Sequence, residues 1–416
     1  MLLYVYCLKI WRVKITGKER VNKALEHQEA DRVPLLEIAI GNKLASKILG
    51  REVNVFFSGD AIKNLIKVTA RGDQSLKKKF ATESVIAQVQ FSHKIGIDTV
   101  PIMPGAFILN SGNPFGHSGA NDNEAVEVIE TSPNRWKIID EFGFWSVVEY
   151  KPSSDTAIIA DHIIAREGIT ALKRMIKTWK NKDYSKLRSN WQVAVDTLHT
   201  VAEQQEYDDL FIMGYADILP PILEPWCDRF FEWVITEPKL MHEYLELEAE
   251  GWYSVLKAEL ETGVLDGIFG SMDWCYKGGC LVSPKHFKEL FAPGLKKIVD
   301  LVHENGFKYI KHCDGNVLDI LDIMIDYCGI DAYHPIEPTA GMDISYLKKK
   351  YGDRITLCGN IDCGEMVNWT PEKIKSEVKR IIKIASPGGG HLLSTSNAMH
   401  SGISVENALA YVEAAH

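Results

Sequence analysis

The sequence predicts an α/β protein of the (β/α)8 TIM-barrel class with a β-hairpin insertion. Three observations predict it: short β-prone runs alternate with long amphipathic helical stretches, glycines precede several of these runs, and the number of runs is close to eight. A doubly wound parallel sheet is the alternative. No G-x-G-x-x-G sequence follows the first run, which weakens the nucleotide-binding form of that alternative.

The first fifteen residues are predicted to form an irregular N-terminal extension (1–15). This apolar start is too short to span a bilayer and lacks the basic front and small-residue cleavage site of a signal peptide. Helical structure is predicted to begin after Thr16, because Thr16 and Glu19 have the T-x-x-E spacing of a capping box. We expect residues 16–416 to form a single barrel domain.

The barrel strands are predicted from runs rich in β-branched, aromatic and other apolar residues, and the helices from apolar residues at helical spacing. The predicted strands are 33–40, 99–103, 210–215, 265–271, 309–312, 330–333, 355–358 and 391–394. The clearest predicted helices are 238–260, 284–305, 317–327 and 371–384.

One region, 107–155, interrupts the alternation of strands and helices. It begins with many Gly, Asn and Ser residues and continues as a hairpin pattern, with strands at 135–139 and 145–150 around a turn at 141–143. Inserted loops and hairpins often help to form the rim of an active site. We therefore predict an excursion from the barrel and no separate domain.

Composition excludes several classes of function. The chain has 416 residues, 46% hydrophobic and 25% charged, with a net charge of -9 and no long basic run, so neither nucleic acid nor an anionic membrane surface is an expected partner. Its eight cysteines include no C-x-x-C pair, and a disulfide framework is not expected in so large a chain. A reducing, cytoplasmic location is the expectation.

Polar residues follow most of the predicted strands, where a βα barrel carries its catalytic groups. We predict catalytic roles for Asp273, Tyr276 and Asp314, because a buried carboxyl group with a shifted pKa serves as a general acid or base. Residues at the other strand ends are predicted to bind the substrate: Tyr215, Asp217, Trp274, Asn360, Ser396 and His400.

The run ending in His312-Cys313-Asp314 also predicts a metal site. Alternate residues of a strand share a face, so His312 and Asp314 point the same way and can supply two ligands. Glu337 is the predicted third ligand, with Cys358 or His334 as substitutes. Zinc takes such ligands. Acid–base chemistry without metal, or a hydrogen-bonded histidine at a capped strand end, remain the alternatives.

Several motifs resemble those of the uroporphyrinogen decarboxylase superfamily, which includes that decarboxylase and methyltransferases that act with corrinoid proteins. The resemblance extends from Thr16 to the C-terminus. The motifs are 16–34, Asp273 with Ser283-Pro284, 312–316, 337–343, 359–362, 388–391 and Glu406-Asn407. It implies a barrel enzyme with a small methyl donor or a tetrapyrrole as substrate. A homodimer is the expected assembly.

Two departures from the family pattern argue against decarboxylation and against a thiol substrate, and they leave corrinoid-related methyl transfer of other methyl donors. The decarboxylase has an arginine-bearing segment after the first strand, whereas residues 35–43 contain no arginine to grip a polycarboxylate. The thiol-directed methyltransferases hold zinc on a His-x-Cys pair and a distant cysteine, whereas this chain has His312-x-Asp314 and, near the distant position, Ser396. The resemblance therefore implies transfer of a methyl group between a small substrate and the corrinoid of a partner protein. Uroporphyrinogen decarboxylation and a non-catalytic small-molecule or corrinoid-binding barrel are the alternatives.

Overall fold

The structure is a computed structural model that describes residues 15–55, 58–102, 127–140, 142–181, 196–200, 203 and 209–416. Residues 1–14 of the predicted extension and the last residue of the predicted strand 99–103 lie outside these ranges. None of the helices in the described ranges combines the length and the apolar character needed to cross a membrane.

The described residues contain three β-sheets. Their strands are numbered in chain order. They are β1 (Thr99–Pro101), β2 (Glu127–Ser132), β3 (Arg135–Ile139), β4 (Trp145–Lys151), β5 (Thr156–His162), β6 (Phe211–Tyr215), β7 (Gly267–Ser271), β8 (Cys275–Tyr276), β9 (Gly279–Cys280), β10 (Tyr309–His312), β11 (Ala332–His334), β12 (Thr356–Cys358) and β13 (His391–Leu392).

The main sheet is parallel and has seven strands in the order β1, β6, β7, β10, β11, β12 and β13. Almost every residue of these strands is buried, as expected for a parallel sheet covered by helices. Spatial order follows chain order, which is the arrangement of a βα barrel and differs from a doubly wound sheet, whose strand order reverses.

The predicted first strand lies between the two edges of this sheet. The backbone N–H of Leu36 donates to the carbonyl of Leu393, and the N–H of Leu393 donates to the carbonyl of Pro34. On the other side, the N–H of Asp98 donates to the carbonyl of Leu35. The segment is therefore connected to the chain after β13 through isolated bridges, and to the residue before β1 through a backbone hydrogen bond, instead of through a regular ladder. The predicted α/β barrel class is confirmed.

Helices follow the strands in the predicted rhythm. The first begins after Thr16, whose side chain and that of Glu19 form the predicted capping box. Two predicted helices, 284–305 and 317–327, each contain a π-helical turn. The longer helices are Gly17–Leu25, Asn42–Leu49, Gly59–Ala70, Gln74–Ile95, Ile169–Lys180, Cys227–Thr236, Pro238–Glu261, Ala292–Glu304, Ile344–Tyr351, Pro371–Ala385 and Val405–Ala415.

The insertion is larger than the sequence predicted. The two predicted hairpin strands are β3 and β4, but β2 and β5 flank them and complete a four-stranded antiparallel sheet. Side chains of β3, β4 and β5 and of the helix Gly59–Ala70 form a small apolar cluster separate from the main core. The sequence missed β2 because its residues are mostly exposed and polar, so no apolar alternation marks it. The loop residues 103–126 and the turn residue Glu141 lie outside the described ranges.

Candidate active site

Three ionisable side chains converge at the carboxyl ends of β7 and β10. His312 is the last residue of β10 and pairs with Ser271, the last residue of β7. Asp273 and Asp314 each follow two residues after these positions. Because adjacent parallel strands end at the same edge of a sheet, these side chains meet at the barrel face where catalytic groups are found in this fold.

The spacing of the three groups is that of ligands around one ion. Nε2 of His312 lies 3.6 Å from Oδ1 of Asp273 and 3.5 Å from Oδ1 of Asp314, beyond normal hydrogen-bond length. One ligand atom from each residue lies within 4.8 Å of the others. A tetrahedral zinc ion with bonds near 2.0–2.1 Å keeps its ligand atoms about 3.4 Å apart. The geometry therefore suits a shared cation better than direct hydrogen bonds.

His334 holds the other side of the His312 ring. The two Nδ1 atoms are 2.7 Å apart and the rings stack with centroids 5.0 Å apart. Burial lowers the pKa of His312 to about 3, and it lowers the pKa of His334 well below the usual value, so both rings are neutral near pH 7. In a neutral pair one Nδ1 donates and the other accepts. When His312 Nδ1 donates, its Nε2 keeps the lone pair that a metal requires.

The two carboxyl groups are close together and incompletely paired. The backbone N–H of Asp314 donates to Oδ1 of Asp273 at 2.7 Å, and Nδ2 of Asn397 donates to Oδ2 of Asp314 at 2.6 Å. Oδ1 of Asp314 is buried and has no hydrogen-bond partner among the described residues. Burial, followed by the charges of Asp273 and Glu337, raises the pKa of Asp314 to about 8, and burial also raises the pKa of Asp273.

These residues fit a zinc ion. One imidazole nitrogen and two carboxylate oxygens are a donor set that zinc accepts at catalytic sites, with a fourth position left for water or substrate. A cation there would satisfy the unpartnered Oδ1 of Asp314 and relieve the repulsion between the two carboxylates.

Glu337, the predicted third ligand, lies beside this group and outside it. Its Oε2 accepts the backbone N–H of Gly315 at 2.9 Å, and its Oε1 accepts the hydroxyl of Thr339 at 2.7 Å. Asp273, predicted as a catalytic group, takes the third position instead. Of the substitutes, His334 contacts the far nitrogen of His312, and Cys358 is fully buried, which raises the pKa of its thiol. The assignment of ligands remains a prediction.

Three predicted substrate-binding residues are buried, and two of them, Asp217 and Trp274, contact a lysine that the sequence analysis missed. Lys311, fully buried, donates from Nζ to Oδ2 of Asp217 at 2.6 Å, and its Nζ lies 4.2 Å from the ring centroid of Trp274. The Tyr215 hydroxyl donates to the carbonyl of Ser271 at 3.2 Å. The Asp217 carboxylate is therefore enclosed and paired with Lys311, and its predicted role in substrate binding stays a prediction.

Lys311 connects the strand ends directly. Besides Asp217, its Nζ donates to the carbonyl oxygens of Met272 at 2.9 Å and His312 at 2.6 Å. It therefore ties the chain that carries Asp273 to the end of β10. A lysine inside an otherwise apolar strand was the available signal, because buried cations are rare without a partner.

The remaining predicted residues lie in different surroundings. Tyr276 has an exposed side chain, and its backbone carbonyl accepts the N–H of Asn316 at 3.0 Å. Asn360 is buried, with Oδ1 unpartnered among the described residues, so it has a free acceptor. The Ser396 hydroxyl accepts the N–H of Cys363 at 3.2 Å, and Nε2 of His400 contacts the Cys363 carbonyl at 3.2 Å. The roles proposed for these residues remain predictions.

A buried glutamate is a second residue that the sequence analysis missed. Glu37, 1% exposed, accepts the backbone N–H of Thr395 at 3.0 Å and its hydroxyl at 2.7 Å. Burial raises the pKa of Glu37 to about 7. It lies in the segment where the family resemblance would place arginine, and that segment, residues 35–43, holds a buried acid and no arginine.

The C-terminal half of the chain is similar in sequence to a known protein family. Residues 227–416 match the family model described as uroporphyrinogen decarboxylase (URO-D). Curated uroporphyrinogen decarboxylases from Psychromonas ingrahamii and Pseudoalteromonas atlantica are each 26% identical, over 194 and 188 residues. These matches cover 43% and 44% of this chain and 49% of each relative, so the similarity spans about half the length of the curated proteins.

A solved structure is similar over nearly the whole chain. It is a methyltransferase from Methanosarcina mazei, with a TM-score of 0.60 and 19% sequence identity, covering 96% of this chain and 98% of that one. At that identity the likeness shows the fold and leaves the reaction open. It extends the fold relationship beyond residue 227 towards the N-terminus.

Proposed function

We propose that this chain, whose residues 227–416 match the uroporphyrinogen decarboxylase family model, is a methyltransferase of that superfamily that moves a methyl group between a small methylated substrate and the corrinoid of a partner protein. The observation that carries the proposal is the pair of carboxylates 3.5 and 3.6 Å from Nε2 of His312. A decarboxylase for polycarboxylates needs cationic side chains to bind the substrate, whereas this site contains two carboxyl groups, those of Asp273 and Asp314.

The chemistry of methyl transfer explains why such a site is useful. Breaking a bond between a methyl group and oxygen or nitrogen leaves an electron pair on the heteroatom, which needs an electrophilic partner. Zinc held by Asp273, His312 and Asp314 would supply a Lewis acid for that heteroatom. His334 would fix the His312 ring, and Asn397 would orient the Asp314 carboxylate, so that the donor atoms are in place before the substrate binds.

Oxygen-rich coordination also bears on the substrate class. Thiolate ligands suit soft metals and thiol substrates, while carboxylate and imidazole ligands make a harder site. We therefore propose an oxygen- or nitrogen-bound methyl group, as in methoxylated compounds or methylamines, as the donor. The partner would be a corrinoid protein that docks at the carboxyl face of the barrel.

Uroporphyrinogen decarboxylation is the second candidate, favoured by the names of the curated relatives that match residues in the C-terminal half. Acidic groups at the strand ends would then steady the pyrrole nitrogen without a metal. Against it stands Glu37, a buried acid in the segment where an arginine is expected.

The first experiment measures bound metal and methyl transfer on the same samples. Purified protein is analysed for zinc, and then incubated anaerobically with cob(I)alamin and a panel of methoxylated aromatics and methylamines while methylcobalamin is followed by absorbance. Asp314→Asn is the test variant, and Asp353→Asn, at an exposed carboxylate of another loop, is its matched control. We expect about one zinc per chain in wild type and control, bound by three ligands, and less than a tenth of that in Asp314→Asn.

The outcomes separate the candidates. Methylcobalamin formed by wild type and control, and lost with the zinc in Asp314→Asn, would support the proposal. Metal-free wild-type protein that releases carbon dioxide from uroporphyrinogen would replace it by the decarboxylase. Zinc-loaded protein that binds methyl donors with equal affinity in wild type and Asp314→Asn, without turnover, would favour a non-catalytic binding barrel.

A further inference from the structure

Two thiols face each other on the hairpin that directly follows Asp273. Cys275 lies on β8 and Cys280 on β9, and the two residues are directly opposite in the antiparallel pair. Their Sγ atoms are 2.9 Å apart. Two thiols at this separation form a site that neither the methyl-transfer proposal nor the family comparison uses.

The backbone of the hairpin suits a covalent bond between them. The N–H of Leu281 donates to the carbonyl of Trp274 at 2.8 Å, which makes that pair a hydrogen-bonded one. Pairs alternate along an antiparallel ladder, so Cys275 and Cys280 form a non-hydrogen-bonded pair with Cα atoms about 4.5 Å apart. Disulfides span Cα separations of about 4.4–6.8 Å, so closure at the short end of that range requires no rearrangement of the strands.

Exposure gives the two thiols different roles. Cys275 is buried, while Cys280 is partly exposed and open to a small oxidant. A third thiol, Cys313, lies beside Cys275 but accepts the backbone N–H of Trp274 at 3.2 Å. Attack is therefore expected to begin at Cys280, with Cys275 next to it as the resolving thiol.

We propose that Cys275 and Cys280 are a reversible dithiol–disulfide site that low-molecular-weight disulfides oxidise. The Cys280 thiolate attacks one sulfur of a disulfide such as oxidised glutathione, forms a mixed disulfide and releases one glutathione thiolate. Cys275 then loses its proton and attacks the Cys280 sulfur, which releases the second glutathione thiolate, and the two leaving thiolates take up the two protons. The protein gives up two electrons to the glutathione disulfide.

The site adjoins the candidate metal-binding group. Asp273 precedes Cys275 by two residues, and the carbonyl of Tyr276, between the two cysteines, accepts the N–H of Asn316 in the turn after Asp314. A disulfide between Cys275 and Cys280 would restrict the motion of the hairpin, which lies between Asp273 and the backbone contact with Asn316. The inference itself depends on the two thiols alone and holds whether or not the chain transfers methyl groups.

The test is disulfide mapping on the full-length chain. Reduced protein is desalted, incubated with oxidised glutathione, quenched with N-ethylmaleimide, digested without reductant and analysed by mass spectrometry. We expect a Cys275–Cys280 linked peptide with the loss of two free thiols per chain, both reversed by dithiothreitol. Cys280→Ser should abolish the link. Cys227→Ser removes a half-buried thiol at the start of the helix Cys227–Thr236 and should leave the link unchanged.

Three results would overturn the site. They are glutathione retained on Cys280 with no internal link, a link between Cys275 and Cys313, and eight free thiols after oxidation of the folded chain. Cys275→Ala is the second variant. It should trap the glutathione mixed disulfide on Cys280, and a Cys275→Ala protein that keeps Cys280 unmodified would argue against Cys280 as the attacking thiol.

Discussion

Two charged clusters lie at opposite ends of the barrel and differ in how completely their charges are paired. At the amino end, Asp98 precedes β1 with a side chain that is 3% exposed. It accepts hydrogen bonds from Arg20 at 3.1 Å, from Arg32 at 2.6 and 2.9 Å, and from the N–H of Leu35 at 2.8 Å. Each Asp98 oxygen therefore has more than one donor.

At the carboxyl end the same kinds of groups are left short of partners. Asp273 and Asp314 approach one neutral imidazole, and Oδ1 of Asp314 has no hydrogen-bond partner in the described part of the chain. In this fold the amino face of the barrel generally serves stability and the carboxyl face serves catalysis. The contrast shows how that division is built: opposite charges pair with each other at the amino end, whereas carboxyl groups with incomplete pairing remain available to a ligand at the carboxyl end.

The largest effect is expected when the paired cluster is broken. Asp98→Asn keeps the shape but leaves the buried Arg20 and the partly buried Arg32 without their shared counter-charge. We expect the free energy of unfolding to fall by about 3–5 kcal/mol, the usual result of removing one partner of a buried ion pair. Urea unfolding measures it. Asp31→Asn is the control, because that carboxylate also pairs with Arg20 but is 43% exposed, and it should cost less than about 1 kcal/mol.

The next effect concerns Glu37, which lies two residues after Leu35 of the amino-end cluster. Burial raises the pKa of Glu37 to about 7, so between about pH 4.5 and pH 7 the unfolded chain ionises this group while the folded protein keeps it protonated. Stability from this group is therefore full below about pH 4.5 and is lost as pH rises towards 7, by about 3 kcal/mol in total. Glu37→Gln should flatten that part of the stability–pH curve.

Exposed Glu365→Gln is the matched control and should leave the slope unchanged. A Glu37→Gln protein with the wild-type slope would mean that Glu37 ionises normally in the fold, and the segment would then carry a buried charge.

A smaller effect, on zinc affinity, is expected from changing His334, which contacts the His312 ring on the side away from the two carboxyl groups. His334→Phe keeps an aromatic ring against His312 but removes the Nδ1 that fixes it. Loss of such an outer contact typically weakens metal binding about 10–100-fold. Zinc affinity is measured by competition with a chelator. His391→Phe replaces another buried histidine, one that contacts Ser386 and Gly359 instead, and should lower stability without changing zinc affinity.

The contrast between the clusters also marks what the sequence could predict. Periodicity predicted the barrel strands and His312 with Asp314 on one face, because these follow from local alternation. Asp273 was predicted as a catalytic group, but its position beside His312 depends on the pairing of β7 with β10, which is not local. Glu337 was predicted as a ligand from its place after a strand, yet its carboxylate accepts bonds from Gly315 and Thr339.

Lys311 and Glu37 were missed for a related reason. Each interrupts an apolar run, and a sequence pattern cannot distinguish a buried charge from an exposed one until the partner is known. Their partners, Asp217 and Thr395, are 94 and 358 residues away in the chain. The insertion was underpredicted because the exposed strand β2 carries no alternation.

The smallest effect, and one of opposite sign, is expected from Asp314→Asn in chelator-treated protein. The raised pKa of Asp314 means that its contribution to stability is complete below about pH 4 and is lost as pH rises towards 8. An amide of the same shape does not ionise and still offers an oxygen to Asn397. We expect the variant to equal wild type near pH 4 and to be more stable by about 1 kcal/mol near pH 8. This is less than the pKa shift alone would give, because the Asp314 side chain, unlike that of Glu37, is 28% exposed and solvent screens its charge. Zinc should reverse the order, since it stabilises the state that binds it. A variant as destabilised as Asp98→Asn would mean that Asp314 belongs to a paired structural cluster, and the distinction between the two ends of the barrel would fail.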